Sequence, residues 1–169
     1  MVLDGLIEIE PKVVSDVRGF FLESYQEARY RELGVFVKFV QDNHSFSKKG
    51  VIRGMHFQKG QAKFIYCPKG EIFDVVVDIR KESKTYGNWQ GFYLSGENHK
   101  QLFIPDGFAH GFAVLSQEAH VMYKVSTYYD KQLEKGFLFN DPEVRINWPI
   151  KEPILSERDK SAPLMREVV

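Results

Sequence analysis

From Val35 onward the chain is a run of short β segments, nearly all followed by a cluster of turn-forming residues, and this punctuation limits the fold more than any other feature. The segments cover residues 36–41, 51–58, 62–67, 71–79, 91–94, 101–104, 113–115 and 120–127. Between them stand SKKG, QKG, PKG, SGEN and PDG, in which glycine, proline and asparagine supply the backbone angles of tight reversals. Short strands at this frequency predict a sandwich or barrel. EIFDVVVDIR has the clearest two-residue period: Phe73, Val75, Val77 and Ile79 share one face, and Asp74, Val76, Asp78 and Arg80 the other. That second face mixes charge with apolar surface, as a pocket wall does.

The flanks differ. Residues 6–9 and 19–22 read as a pair of strands, the second introduced by the turn SDVRG. Ser24 followed three residues later by Glu27, with Leu33-Gly34 as a stop, predicts one short helix. After Asn140 the signals are loop-like, and a final short helix is expected from Ser156. With no repeat, linker or low-complexity stretch, the 169 residues are expected to form one domain, 1–169, able to bury its own core.

Charge narrows the partners. The 23 basic and 23 acidic residues cancel, so nucleic acid and anionic membrane are not expected, and any anionic ligand needs a local cluster of Arg and Lys. A single cysteine, Cys67, excludes an internal disulfide, and MVLDGLIEIE carries charge where a signal peptide would be apolar. The longest apolar runs, such as VVV at 75–77, are too short to span a bilayer, so a cytoplasmic location is expected.

Several polar residues stand where the pattern calls for strand. In VIRGMHFQKGQAK, alternation puts Ile52, Gly54, His56 and Gln58 on one face and Arg53, Met55 and Phe57 on the other. Arg53 and His56 share a pocket only if Gly54 bends or bulges the strand. Taken singly, His56 reads as a satisfied core histidine. Lys63 shares a face with Ile65 and Cys67 and reads as a solvated strand end, although a buried lysine is rare unless paired or functional. Tyr123 lies with Val121, Val125 and Thr127 on one face of its strand, a core tyrosine or, on a pocket wall, a proton donor. Asp159, three residues after Ser156, reads as a capping-box acid. Pro105, Gly107 and His110 have the spacing P-x-G-x-x-H, which resembles the second motif of the cupins, whose histidine often binds a metal. His56 and His110 without a third ligand make a poor metal site, though Glu71 or Asp74 could complete one.

Together, VQDNHSFS, IRGMHFQ, GEIFDVVVDIR, YGNW, LSGENHKQLFIPDGFAHGFAVL, YKVSTYY, NDPEVRINWP and LSERD occur in an order that closely resembles the dTDP-4-dehydrorhamnose 3,5-epimerase family. The resemblance implies an all-β, cupin-like double-stranded β-helix, or jelly-roll barrel, with short N- and C-terminal helices. It implies a homodimer that exchanges N-terminal strands, no metal or other cofactor, and a nucleotide-sugar substrate. The implied reaction inverts C3 and C5 of dTDP-4-dehydro-6-deoxy-D-glucose, giving dTDP-4-dehydro-L-rhamnose for L-rhamnose biosynthesis. Carried over by motif, His56 resembles the base, Asp159 its orienting carboxylate, Tyr123 the acid on the opposite face of the sugar, and Lys63 the residue facing the C4 oxygen. Arg53 and His110 resemble further substrate contacts, and Tyr129 a residue stacked on thymine. Arg18, Glu23, Gln41, Asn43, Glu134 and Arg158 match positions that hold the nucleotide or its diphosphate, some of which the family draws from the partner subunit. One departure is QKGQAK, a few residues shorter than in many relatives, which bears on the placement of Lys63.

The chemistry suits these roles. Both target carbons flank a ketone, and about ten pKa units, or about 14 kcal/mol, separate such a C–H from a neutral imidazole. A general base contributes roughly 10²–10⁴-fold, which is too little, so a fixed cation at the developing oxyanion is required. Inversion then needs a second group on the other face, because one imidazole cannot reach both. Mono-epimerase cousins and, in another class, a metal cupin using His56 and His110 are the alternatives; a non-catalytic nucleotide-sugar binding module is a third.

Overall fold

The computed structural model describes residues 3–169. Among these residues, twelve strands and three short helices follow one another. The first part carries β1 (Ile7–Ile9), β2 (Val13–Asp16), β3 (Gly19–Leu22) and α1 (Glu27–Glu32). The body consists of β4 (Gln41–Lys48), β5 (Ile52–Gln58), β6 (Lys63–Lys69), β7 (Glu71–Asp78), β8 (Trp89–Ser95), β9 (Gln101–Ile104), β10 (Phe108–Val114) and β11 (Glu118–Val125). The chain ends with β12 (Glu134–Gly136), α2 (Glu157–Lys160) and α3 (Met165–Val168). Two five-stranded antiparallel sheets form the body, in the orders β1-β9-β6-β11-β4 and β12-β5-β10-β7-β8, while among the described residues β2 and β3 pair only with each other. This is the cupin-like jelly roll expected from the sequence.

Three apolar layers hold the sheets. Between them lie Ile65, Cys67, Ile72, Val76, Leu102, Phe112 and Val121, drawn from both sheets. Phe73, Val75 and Val77 point the other way and are covered by Phe137, Val144, Ile146 and Met165 of the C-terminal segment. Both faces of β7 are therefore buried, including the face that carries Asp74 and Asp78. On the outside of the first sheet, Tyr30 and Val35 from α1 and its exit pack on Phe64 and Phe103. Among the described residues, no helix is long and apolar enough to cross a membrane.

Local differences from the sequence expectations have physical causes. The N-terminal strands do not pair with each other: β1 joins β9, and β3 folds back on β2, a strand the pattern did not reveal. Residues 36–40 are not strand; pairing with β11 begins at Gln41. The cap of α1 is Gln26, whose side chain accepts from the Arg29 N–H at 2.6 Å, so Ser24 and Glu27 form no capping box. Strand β10 begins at Phe108, five residues before the expected segment, so His110 lies inside a fully paired strand.

The decisive local feature is in β5. His110 pairs with His56 and Phe112 with Arg53, so three steps on β5 match two on β10, a β-bulge. Ile52, Met55 and Phe57 consequently face the outer core, while Arg53 and His56 face the space between the sheets. Simple alternation, which separates Arg53 from His56, fails here. Gly54 makes the bulge possible: it sits at φ +131°, and a Cβ there would lie 2.6 Å from the Gly111 Cα.

Candidate active site

The two sheets part at one end of the barrel to leave a pocket of about 510 Å³, within the usual range for small-molecule sites. The β5–β10 sheet contributes Arg53, His56 and His110. The opposite sheet contributes Lys63, Tyr123, Gln41 and Asn43. Tyr129, Glu134, Arg158 and Asp159 close the rim.

Helix α2 is placed by backbone pairing. Ile52 N–H donates to the Ile154 carbonyl at 3.1 Å, and Ile154 N–H to Gly50 at 2.8 Å. Two residues on, Ser156 caps the helix by accepting the Asp159 N–H at 3.1 Å. The capping-box position of Asp159 is thus real at its backbone, yet its side chain does something else: His56 Nε2 and Asp159 Oδ1 stand 2.7 Å apart. Burial alone would raise the Asp159 carboxyl, but hydrogen bonds from His56, Ser156 and the Gly54 N–H outweigh it and hold the carboxyl below its ordinary value. Asp159 is therefore an acceptor, Nε2 carries the proton, and the Nδ1 lone pair of His56 is left free, the arrangement of an oriented base.

On the facing wall, the QKGQAK turn delivers Lys63 into the pocket. Its Nζ donates to the His56 carbonyl at 3.4 Å. Burial pushes the ammonium down to about 8, with the carboxylates of Glu134 and Asp74 opposing the drop. Burial likewise pushes the Tyr123 hydroxyl up, helped by Glu134 and opposed by Arg53, so it stays protonated and can give up a proton only to a strong base such as an enolate.

The remaining contacts prepare the site for a polar ligand. Arg53 is tethered by Nε to Ser47 Oγ at 2.9 Å and by its terminal nitrogen to the Phe46 carbonyl at 3.1 Å. Arg158 pairs with Glu134 at 2.7 Å. Tyr129 donates its N–H to Gln41 Oε1 at 3.1 Å, and Gln41 in turn donates to Asn43 at 2.8 Å. Gln58 was not singled out from the sequence. It is buried, donates to the Tyr128 carbonyl at 2.9 Å and accepts the Asp130 N–H at 3.0 Å, clamping the loop that carries Tyr129. A charge-neutral amide at the end of an apolar strand was the only signal available.

Two of the expected nucleotide contacts lie away from the pocket of their own chain. Arg18 lies on the β2–β3 turn, bonded to Asp16, and Glu23 is paired with Arg29; neither lines the pocket. The metal alternative lacks a ligand set. His56 and His110 are each bonded to a different carboxylate, Asp159 and Asp74, Glu71 is exposed outside the pocket lining, and among the described residues no three of His, Cys, Asp and Glu converge to hold an ion.

A jelly roll with its reactive side chains divided between facing sheets defines a cupin-type barrel that works inside its own cavity. Its relatives narrow the class. A sequence profile of the dTDP-4-dehydrorhamnose 3,5-epimerase family matches residues 1–167, and the chain belongs to that family. It is 52% identical to the dTDP-4-dehydrorhamnose 3,5-epimerase of Salmonella typhimurium, over 99% of this chain and 94% of the relative. The crystal structure of the 3,5-epimerase of Legionella pneumophila, in complex with dTDP-4-keto-L-rhamnose, superposes with a TM-score of 0.96 at 48% identity, covering 100% of this chain and 92% of the other. At 41% identity, over 98% of this chain and 82% of the relative, stands a dTDP-4-dehydrorhamnose 3-epimerase of Streptomyces niveus.

Proposed function

We propose that this protein is a dTDP-4-dehydrorhamnose 3,5-epimerase, converting dTDP-4-dehydro-6-deoxy-D-glucose to dTDP-4-dehydro-L-rhamnose. One observation carries the reading: an oriented base on one sheet, His56 with Asp159, faces a cation and a proton donor on the other, Lys63 and Tyr123, across one pocket. His56 takes the proton alpha to the C4 ketone through Nδ1, and Asp159 stabilises the resulting imidazolium. Lys63 neutralises the enolate oxygen. Tyr123 returns a proton from the opposite face, which inverts the carbon. Arg53 and His110 contact the sugar, while Gln41, Asn43, Glu134, Arg158 and a stacked Tyr129 hold the nucleotide. The test is incubation with the dTDP-4-keto sugar in D2O: deuterium should enter at C3 and at C5. Exchange at C3 alone would make this a 3-epimerase like the Streptomyces niveus relative, and exchange at neither carbon would sink the reading.

The active unit is a homodimer with exchanged N-terminal strands. Supporting this, the β2–β3 hairpin pairs with no other strand among the described residues and exposes Val14, Val17, Phe20 and Phe21. Strand β4, which carries Gln41 and Asn43, is a sheet edge with free backbone groups. A hairpin from a second copy laid along that edge would carry Arg18 and Glu23 to the nucleotide. Sedimentation at assay concentration should give twice the 19.7 kDa chain mass, and a monomer that is fully active would refute the exchange. The buried, unpaired Cys67 suits a reducing compartment, the cytoplasm.

A further inference from the structure

Behind the pocket wall stands a second histidine–carboxylate pair, in which the mechanism above gives His110 a sugar contact and leaves Asp74 without a task. His110 Nε2 lies 2.7 Å from Asp74 Oδ2, with Asp74 completely buried and His110 nearly so. The other oxygen, Asp74 Oδ1, is buried and has no hydrogen-bond partner among the described residues. A buried carboxylate with half its acceptor capacity idle is costly for the fold, and such groups usually reflect function. His110 and His56 are directly paired across adjacent strands, so the two histidine–carboxylate pairs stand side by side on one wall.

Building on the epimerase reading, we infer that Asp74 is a positioning residue: it accepts the Nε2–H of His110, fixing a neutral imidazole that presents its Nδ1 lone pair to the pocket as acceptor for a sugar hydroxyl. His110 then cannot donate to the C4 oxyanion, and that task rests with Lys63. Burial, with help from the nearby Lys63 charge, outweighs Asp74 and keeps His110 below its ordinary value, so the ring stays uncharged. The unshared negative charge of Asp74 has a second effect. Lys63 is surrounded by Glu134 of β12, Asp74 of β7, His110 of β10 and His56 of β5, and of these the two carboxylates favour its protonated form. Removing the charge at Asp74 lowers the pH at which Lys63 loses its proton.

Two measurements decide the matter. In ¹⁵N-histidine spectra of the wild-type protein at neutral pH, with His110 assigned by its loss in His110→Gln, the ring should be the Nε2–H tautomer; an Nδ1–H or doubly protonated ring overturns the inference. This needs no substrate and no Asp74 variant, so it is decided even if Asp74→Asn does not fold. It also stands apart from the D2O exchange that tests the epimerase reading itself. In Asp74→Asn, whose amide can donate to Nε2, the tautomer should shift and kcat should fall roughly 10- to 100-fold, as expected for loss of one charge-assisted hydrogen bond. The alkaline limb of its pH profile should move to lower pH. A merely structural aspartate would change thermal stability and leave both the tautomer and the limb where they were.

Discussion

His56→Asn is expected to lower kcat for deuterium exchange at C3 and C5 by roughly 10²–10⁴-fold, the full contribution of a general base, while the Kd for dTDP-sugar changes little. Asparagine fills much of the imidazole volume and can still hydrogen-bond Asp159, so the barrel should hold its shape. What it lacks is a basic lone pair where His56 Nδ1 stands. The largest effect is expected here because the other groups in the pocket have other tasks: Tyr123 stays protonated, His110, backed by Asp74, turns its lone pair to a sugar hydroxyl, and Lys63 must remain a cation. Retained exchange at both carbons would mean that the base lies elsewhere, and unchanged function altogether would favour a binding module.

Lys63→Met should cost roughly 10²–10³-fold in kcat, the range for removing one donor to a developing oxyanion. Its pH signature separates this role from simple packing. Lys63 stabilises the enolate only when protonated, and burial has brought its ammonium down to about 8. In the wild-type enzyme kcat/KM should therefore fall above about pH 8, roughly tenfold per pH unit, as the cation is lost. In Lys63→Met the residual rate should lack that limb. The stability effect has the opposite sign. Because the folded state disfavours the charged amine, the native protein binds fewer protons than the unfolded chain between about 8 and the ordinary lysine value, so burying this charge works against folding near neutral pH. Methionine should thus raise the urea midpoint while lowering activity. A variant less stable than wild type, or an alkaline limb that persists in it, would contradict this account of Lys63.

The shared faces of Lys63 and Ile65, and of Val121, Tyr123 and Val125, were legible because side chains alternate strictly along stretches of strand without a bulge. The same rule misassigned Arg53 against His56. The bulge at Gly54 is a property of two strands in contact, Gly54 against Gly111, and no single-strand pattern contains it. Asp159 is a similar case. Its helix-start position was readable from Ser156, but the bond to His56 spans 103 residues of sequence.

Taken alone, the amino-acid sequence determined the fold class, the strands that carry the reactive residues and, through the order of its motifs, the family. The strands, and with them a sandwich or barrel, follow from local periodicity and turn chemistry, which act over a few residues, while the jelly roll and the family follow from the resemblance that the ordered motifs carry. The tertiary structure alone decided that Arg53 joins His56 on one wall, that Asp74 backs His110, and that Arg18 and Glu23 lie outside the pocket of their own chain. Each of these depends on which strands become neighbours and how closely their backbones approach, and that is settled only when the two sheets close over their shared core.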